Sequence, residues 1–159
     1  MVMQTTVQIR TADLFEDLLL AEHFYYMWLD NAVPEEAISP DYPDIVQAFV
    51  TMARRDLDYA AFVAEVDGRV VGSAGCQRFE GLYPLILAPE FQCRGYVWGV
   101  YVEPAYRQQG IATRLMEAAI AHLKSIGCTE ILLNASPSGK PIYERLGFVA
   151  ANAMKLSLN

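Results

Sequence analysis

Residues Val100 to Thr113 read VYVEPAYRQQGIAT. The opening residues are apolar with no helical period, Glu103-Pro104 interrupts them, and from Ile111 the apolar spacing becomes about 3.6. A buried strand therefore passes through a short turn into a helix. Upstream, Gly95 to Val102 is a continuous apolar run, as expected of a central strand covered on both faces. Downstream, Ile111, Leu115, Ala118, Ala119, His122, Leu123 and Ile126 share one helical stripe that Gly127 stops. Thr129 to Asn134 is again strand-like, so strand, helix and strand should form a right-handed crossover with parallel strands.

Further out, Tyr59 to Val66 and Arg69 to Phe79 flank Asp67-Gly68, a two-residue hairpin signal. Glu80 to Arg94 carries two prolines and no period and is expected to be an irregular loop. Thr5 to Arg10 predicts an edge strand, and Thr11 is expected to cap a helix burying Leu14, Phe15, Leu18, Leu19 and Ala21. A second helix, from Tyr42–Asp44 to about Arg55, should bury Ile45, Ala48, Phe49 and Met52. Lys140 to Leu146 predicts a short helix ended by Gly147. Phe148 to Ala150 with Ala153 to Leu158 predicts a final hairpin. Without repeats or linkers, the 159 residues are expected to form one domain, 1–159.

The composition narrows the function. The chain is 53% hydrophobic and 19% charged, yet no apolar run reaches the roughly 18 residues of a membrane span. Met1 to Arg10 lacks the order of a secretory signal, so a cytoplasmic location with no membrane partner is expected. Cys76, Cys93 and Cys128 form no metal or disulfide spacing and should be free thiols. A net charge of −7 argues against nucleic acid. The charge is uneven: residues 1–80 hold 14 acids and 5 bases, residues 81–159 hold 5 acids and 7 bases. Such a split suits an anionic cofactor on the C-terminal half and a cationic substrate drawn to the N-terminal half; a plain solvated acidic face reads the same way.

At the turn, Gly110 and Ala112 strip side-chain bulk from the start of a helix, leaving bare N–H groups and the positive end of the dipole for a phosphate or pyrophosphate. Arg107 can add charge-assisted bonds. The turn lacks the Gly-Lys-Ser/Thr of a P-loop and the three glycines of the dinucleotide fingerprint. Val102, Pro104, Arg107, Gln108, Gln109, Gly110, Ile111 and Ala112 instead resemble the motif Q/R-x-x-G-x-G/A of the GNAT superfamily of acyl-CoA N-acyltransferases. Pro141 to Phe148, PIYERLGF, resembles that family's later signature. Order, intervening elements and the Asp67-Gly68 hairpin all match. The resemblance is firm over residues 95–149 and covers most of the chain.

It implies a mixed, mostly antiparallel α/β sheet of about seven strands with helices on both faces. Residues 1–58 would be variable acceptor-side helices and 95–149 the CoA-binding core. It implies that the N–H groups of Gln109, Gly110, Ile111, Ala112 and Thr113, with Arg107 and Gln108, hold the pyrophosphate of acetyl-CoA. Backbone groups of Val100 and Val102 would bond the pantetheine, and Asn134 would bond the pantetheine or a water; a strand-ending Asn also fits ordinary turn chemistry. The implied reaction is direct transfer of acetyl to a primary amine of a small cationic molecule or a protein, by a monomer or homodimer. N–H groups near Val102 would stabilise the oxyanion, and Tyr143 would protonate the departing thiolate.

The base stays open among Glu22, Glu80, Glu90, Glu103 and a water-mediated route, since Tyr96 stands where some relatives hold a glutamate. His122 on the apolar stripe reads as core or boundary, His23 is ambiguous, Cys128 reads as core, and Cys93 lies in the loop before the central strand. Phe24, Tyr25, Tyr26 and Trp28 exceed one helical face, so core packing, an acceptor pocket and a subunit contact all remain open for them. The alternative function is a non-catalytic acyl-CoA sensor; a nucleotide-binding protein is a third.

Overall fold

A computed structural model, described for residues 6–158, contains strands β1 (Val7–Thr11), β2 (Ala60–Val66), β3 (Arg69–Arg78), β4 (Arg94–Val102) and β5 (Glu130–Leu132). They form one sheet in the order β1-β2-β3-β4-β5. The first four are mutually antiparallel, and β5 joins β4 in parallel over Arg94 to Tyr96 only. Asp67 and Gly68 both take positive φ, 49° and 77°, as the hairpin signal between β2 and β3 requires. Thr5, the first residue of the expected edge strand, lies outside the described residues.

Helices α1 (Asp17–Asp30) and α2 (Tyr42–Asp56) cover one face of the sheet through Leu20, Val46, Val50 and Ala53 against Ala61 and Val63. The other face carries α3 (Ile111–Ser125) and α4 (Lys140–Arg145). There Ile111, Leu115, Met116, Ala119 and Leu123 are buried against Ala64, Val71, Ala74, Cys76 and Val97. Fully buried side chains of this size contribute roughly 1.5–3 kcal/mol each. Helices on both faces of a mixed sheet agree with the expected fold class.

Three expectations need correction. Among the described residues the sheet has five strands, not about seven, because residues 148–158 form no hairpin. A two-residue reversal needs positive φ, and no residue from 148 to 158 adopts it. Secondly, Leu14, Phe15 and Leu18 face solvent, and no side chain of Thr11 caps the helix; Thr11 ends β1. The chain instead enters α1 through Glu16, which accepts the Asp13 N–H (2.7 Å) and two bonds from Arg10 (2.7 and 3.0 Å). Asp17 is held by a two-pronged pair with Arg54 of α2 (2.9 and 3.1 Å). These ion pairs fix the rotation of the helix entry, so Glu16 and Asp17 are covered while Leu14, Phe15 and Leu18 are not. Arg10 also keeps the Glu16 carboxyl below the ordinary carboxylate range. Thirdly, α2 buries Val46, Val50 and Ala53, whereas Ile45, Ala48 and Phe49 are exposed and Met52 is half-buried. Its apolar residues span more than one face, and the smaller side chains allow the closer approach to the sheet.

Candidate active site

The site begins with an irregularity in β4. Gly75 of β3 faces Trp98, but Ser73 faces Tyr101, so Gly99 and Val100 together oppose Ala74. Gly99 absorbs the extra residue at φ 67°, a backbone state that side chains resist. The bulge bends β4, and β5 leaves it after Tyr96; from Val97 to Val102 the outer edge of β4 has no strand partner among the described residues. At the point of parting, burial raises the Tyr96 hydroxyl above its ordinary value, and the neighbouring backbone of Asn134 partly offsets this.

Beyond β4, a one-turn helix at Pro104–Tyr106 and Gln108 at φ 61° lead to Gly110, the residue before α3, at φ 78°. The first hydrogen bond of α3 runs from the Arg114 N–H to Gly110 O (3.2 Å). The N–H groups of Gln109, Gly110, Ile111, Ala112 and Thr113 therefore have no backbone partner among the described residues. A Cβ on Gly110 would meet no atom within 4 Å: the turn opens directly into a cleft.

The cleft has a volume of about 780 Å³ and is lined by Val100, Val102, Arg107, Gln108, Gly110, Ile111, Ala112 and Thr113 and by Ser136, Ser138, Gly139, Pro141, Ile142 and Tyr143. Gln109 and Asn134 are not among its lining residues. Tyr143 sits on α4, its ring edge-on to Phe148 (6.0 Å), and burial raises its hydroxyl above the ordinary value of 10.0. It is thus protonated at neutral pH. Gly139 makes room for that ring: a Cβ there would lie 2.9 Å from Tyr143 Cε2.

Sequence reasoning missed the floor of the cleft, formed by Met27, Asp30 and Asn31 at the end of α1. Arg107 donates from Nη2 to Asp30 (2.6 Å) and from Nε to Val102 O (2.7 Å), over the ring of Tyr101 (5.5 Å). Seventy-seven positions separate Arg107 from Asp30, and no spacing signals the pair.

Of the four glutamates considered as a base, none lines this cleft. Glu22 and Glu103 line a smaller cleft of about 380 Å³ with His23 and Tyr26, which meets the first at Tyr101. Glu103 is engaged by Arg69 (2.6 Å). Glu80 and Glu90 lie in the segment between β3 and β4. His122 is at the boundary, bonded to Asp58 O (2.8 Å). All three cysteines are free, and burial pushes the Cys76 and Cys128 thiols up to about 12 and about 11. No cluster of metal-ligating side chains occurs among the described residues.

His23 is a structural residue: it is buried, its Nδ1 is bonded to Ser73 Oγ (2.8 Å), and its ring packs on Tyr101 (5.0 Å). Burial lowers its pKa below 6.5. The unfolded chain then binds the extra proton first, so stability falls as pH drops below about 6.5 and is retained above it. The melting temperature should decline through pH 6.5 to 5, less steeply in His23→Gln; equal slopes in both proteins would refute this.

The profile of the Acetyltransferase (GNAT) family matches residues 13–148. The chain belongs to that family. Among its relatives, the glucosamine 6-phosphate N-acetyltransferase of Trypanosoma brucei brucei is 32% identical over 102 residues, 61% of this chain. The alignment spans 63% of that relative's own length. The N-alpha-acetyltransferase of Sulfurisphaera tokodaii is 30% identical over 123 residues, 75% of this chain and 72% of that protein. A GCN5-related N-acetyltransferase from Ralstonia eutropha JMP134 shares the fold with a TM-score of 0.82 at 22% identity, covering 96% of this chain and 99% of that one. An acetyltransferase from Clostridium acetobutylicum, solved with acetyl-CoA, superposes with a TM-score of 0.80 at 23% identity, over 97% and 96% of the two chains.

Proposed function

We propose that this GNAT protein is an N-acetyltransferase that moves acetyl from acetyl-CoA to a primary amine on a small cationic molecule or protein. The observation that carries the reading is one cleft lined by the bare amides of Gly110, Ile111, Ala112 and Thr113, an unpartnered strand edge and a protonated tyrosine. These residues fit the donor: the amides opening α3 suit a pyrophosphate, and the free edge of β4 suits a pantetheine aligned as an added strand. When bound, acetyl-CoA supplies an activated thioester carbonyl. The residues 95–149 would form the donor core and 1–58 the acceptor side.

In this reading the N–H groups from Gln109 to Thr113 hold the phosphates, and Val100 and Val102 align the chain that follows. Backbone N–H groups near Val102 oppose negative charge developing on the carbonyl oxygen. Tyr143 delivers a proton to the leaving sulfur. An alkyl ammonium must lose its proton before attack; with no candidate glutamate in the cleft, a water chain carries that proton to solvent. The excess of acids in residues 1–80, with Glu22 and Tyr26 in the adjoining cleft, supports a cationic acceptor. Screening amines for thiol release from acetyl-CoA tests the reading; binding of CoA with no release from any amine would replace it with the sensor. Raising ionic strength should lower kcat/KM for the true acceptor, and Glu22→Gln should raise its KM without moving that of acetyl-CoA.

Arg107 must exchange Asp30 for a phosphate to serve the donor. Asp30→Asn should therefore tighten CoA about two- to fivefold, the scale of an exposed ion pair. Calorimetry showing unchanged or weaker binding would contradict this.

A further inference from the structure

The structure assigns Cys93 and Cys128 as a paired thiol site at the joint of β4 and β5, one that a small disulfide oxidises to an intramolecular disulfide.

No spacing along the chain brings these cysteines together; the sheet does. Cys93 immediately precedes β4, and Cys128 stands two residues before β5. The two strands are parallel with Arg94 opposite Glu130, so the segments leading into them run side by side. The Thr129 N–H donates to Cys93 O (2.7 Å), and the Cys93 N–H donates to Thr129 Oγ1 (2.9 Å). The peptide unit that joins Cys128 to Thr129 is thus bound directly to Cys93. Neighbouring strands lie about 4.8 Å apart, inside the Cα separations of about 4.4–6.8 Å that a disulfide spans.

The side chains share a face. A Cβ on Gly95 would lie 2.9 Å from Leu123 of α3, and alternation along the strand sends Cys93, two residues earlier, the same way. Cys128 packs on the buried cluster that contains Leu123. Burial, then the charge of the Cys93 thiol and a hydrogen bond with it, push the Cys128 thiol up to about 11, while Arg78, paired with Asp58 (2.9 Å), opposes them. Both thiols are half-buried and free. Cys76 differs: it is wholly buried and donates to Ala60 O (3.6 Å).

In the first step the Cys93 thiolate attacks one sulfur of a small disulfide, R–S–S–R, forming a mixed disulfide and releasing R–S⁻. The Cys128 thiolate then attacks the Cys93 sulfur, forming the Cys93–Cys128 bond and releasing the second R–S⁻. The two cysteine protons end on the two released thiols, and the two electrons lost by the cysteines reduce the small disulfide. Cys93 attacks first because Cys128 holds its proton more tightly than an ordinary thiol. The second attack is intramolecular, which offsets the scarcity of the Cys128 thiolate. β4 and β5 pair only from Arg94 to Tyr96, and the new bond ties that short joint and closes the loop of residues 94–127, which carries α3. Neither cysteine lines the 780 Å³ cleft, so the site stands apart from the donor reading.

The reduced full chain is incubated with oxidised glutathione at about pH 8 and followed by intact mass, thiol alkylation and tryptic mapping. The expected product is lighter by about 2 Da, keeps one alkylatable thiol after unfolding, that of Cys76, and yields a peptide pair joined through Cys93 and Cys128. Its melting temperature should rise by about 5–10 °C and return to the starting value with dithiothreitol. Cys128→Ser should stop at a mixed glutathione disulfide on Cys93 with no such rise, and Cys93→Ser should slow the first exchange at least tenfold. Three alkylatable thiols after exposure, two glutathiones carried per chain, a bond that involves Cys76 or a second chain, or a Cys93–Cys128 bond with an unchanged melting temperature would each overturn the inference.

Discussion

Gly110→Val should lower kcat/KM for acetyl-CoA about 100-fold or more in a protein that still folds. At φ 78° any L-residue is strained by about 1–2 kcal/mol, and a β-branched one by more. No atom lies within 4 Å of the added Cβ, so the core is undisturbed and the new side chain projects into the cleft beside the bare amides. The variant thus fills the space meant for phosphate and twists the donors that would hold it; about 2.7 kcal/mol of lost binding corresponds to the stated factor. Steady-state kinetics and calorimetry with CoA measure the effect, a thermal melt confirms folding, and Gly110→Ala should fall between. A folded valine variant with unaltered kcat/KM would remove the amide cradle from the account.

Tyr143→Phe should reduce kcat about 10²- to 10³-fold and leave KM for acetyl-CoA within about twofold, since general acid catalysis contributes on that scale. The hydroxyl is raised above 10.0 by burial and stays protonated through the neutral range. The wild-type rate should fall only when pH climbs past that raised value, and the alkaline limb should vanish in the phenylalanine variant. The ring's contacts with Phe148 and Gly139 persist in Tyr143→Phe, so lost packing does not account for a large drop. A variant whose kcat stayed within about threefold from pH 7 to 10 would exclude the role.

The order of elements from the hairpin at Asp67-Gly68 through α3 to α4 could be read from the chain because each signal there is local. Positive φ favours glycine or a short polar residue, an apolar run marks a buried strand, and Ile111, Leu115, Ala119 and Leu123 repeat with the pitch of a helix. The motif residues around Gly110 are local in the same sense: one turn sets them, and it places eight of the ten expected donor-binding residues on one cleft.

The two N-terminal helices were legible only as helices. Both carry apolar residues on more than one face, and which face is covered depends on partners elsewhere: Arg10 and Arg54 for Glu16 and Asp17, the sheet for Val46, Val50 and Ala53. The Arg107–Asp30 pair escaped for the same reason, and the final hairpin expected of Phe148–Ala150 with Ala153–Leu158 is not formed.

From the sequence alone came the nature of each segment and the chemistry of the turn at Gly110, because backbone preference and hydrophobic period act over a few residues. Tertiary structure decided which helix faces are buried, how far β4 and β5 part, what Arg107 binds and that residues 148–158 form no strand. Those outcomes rest on contacts between distant positions, where geometry in three dimensions, not spacing along the chain, sets the energy.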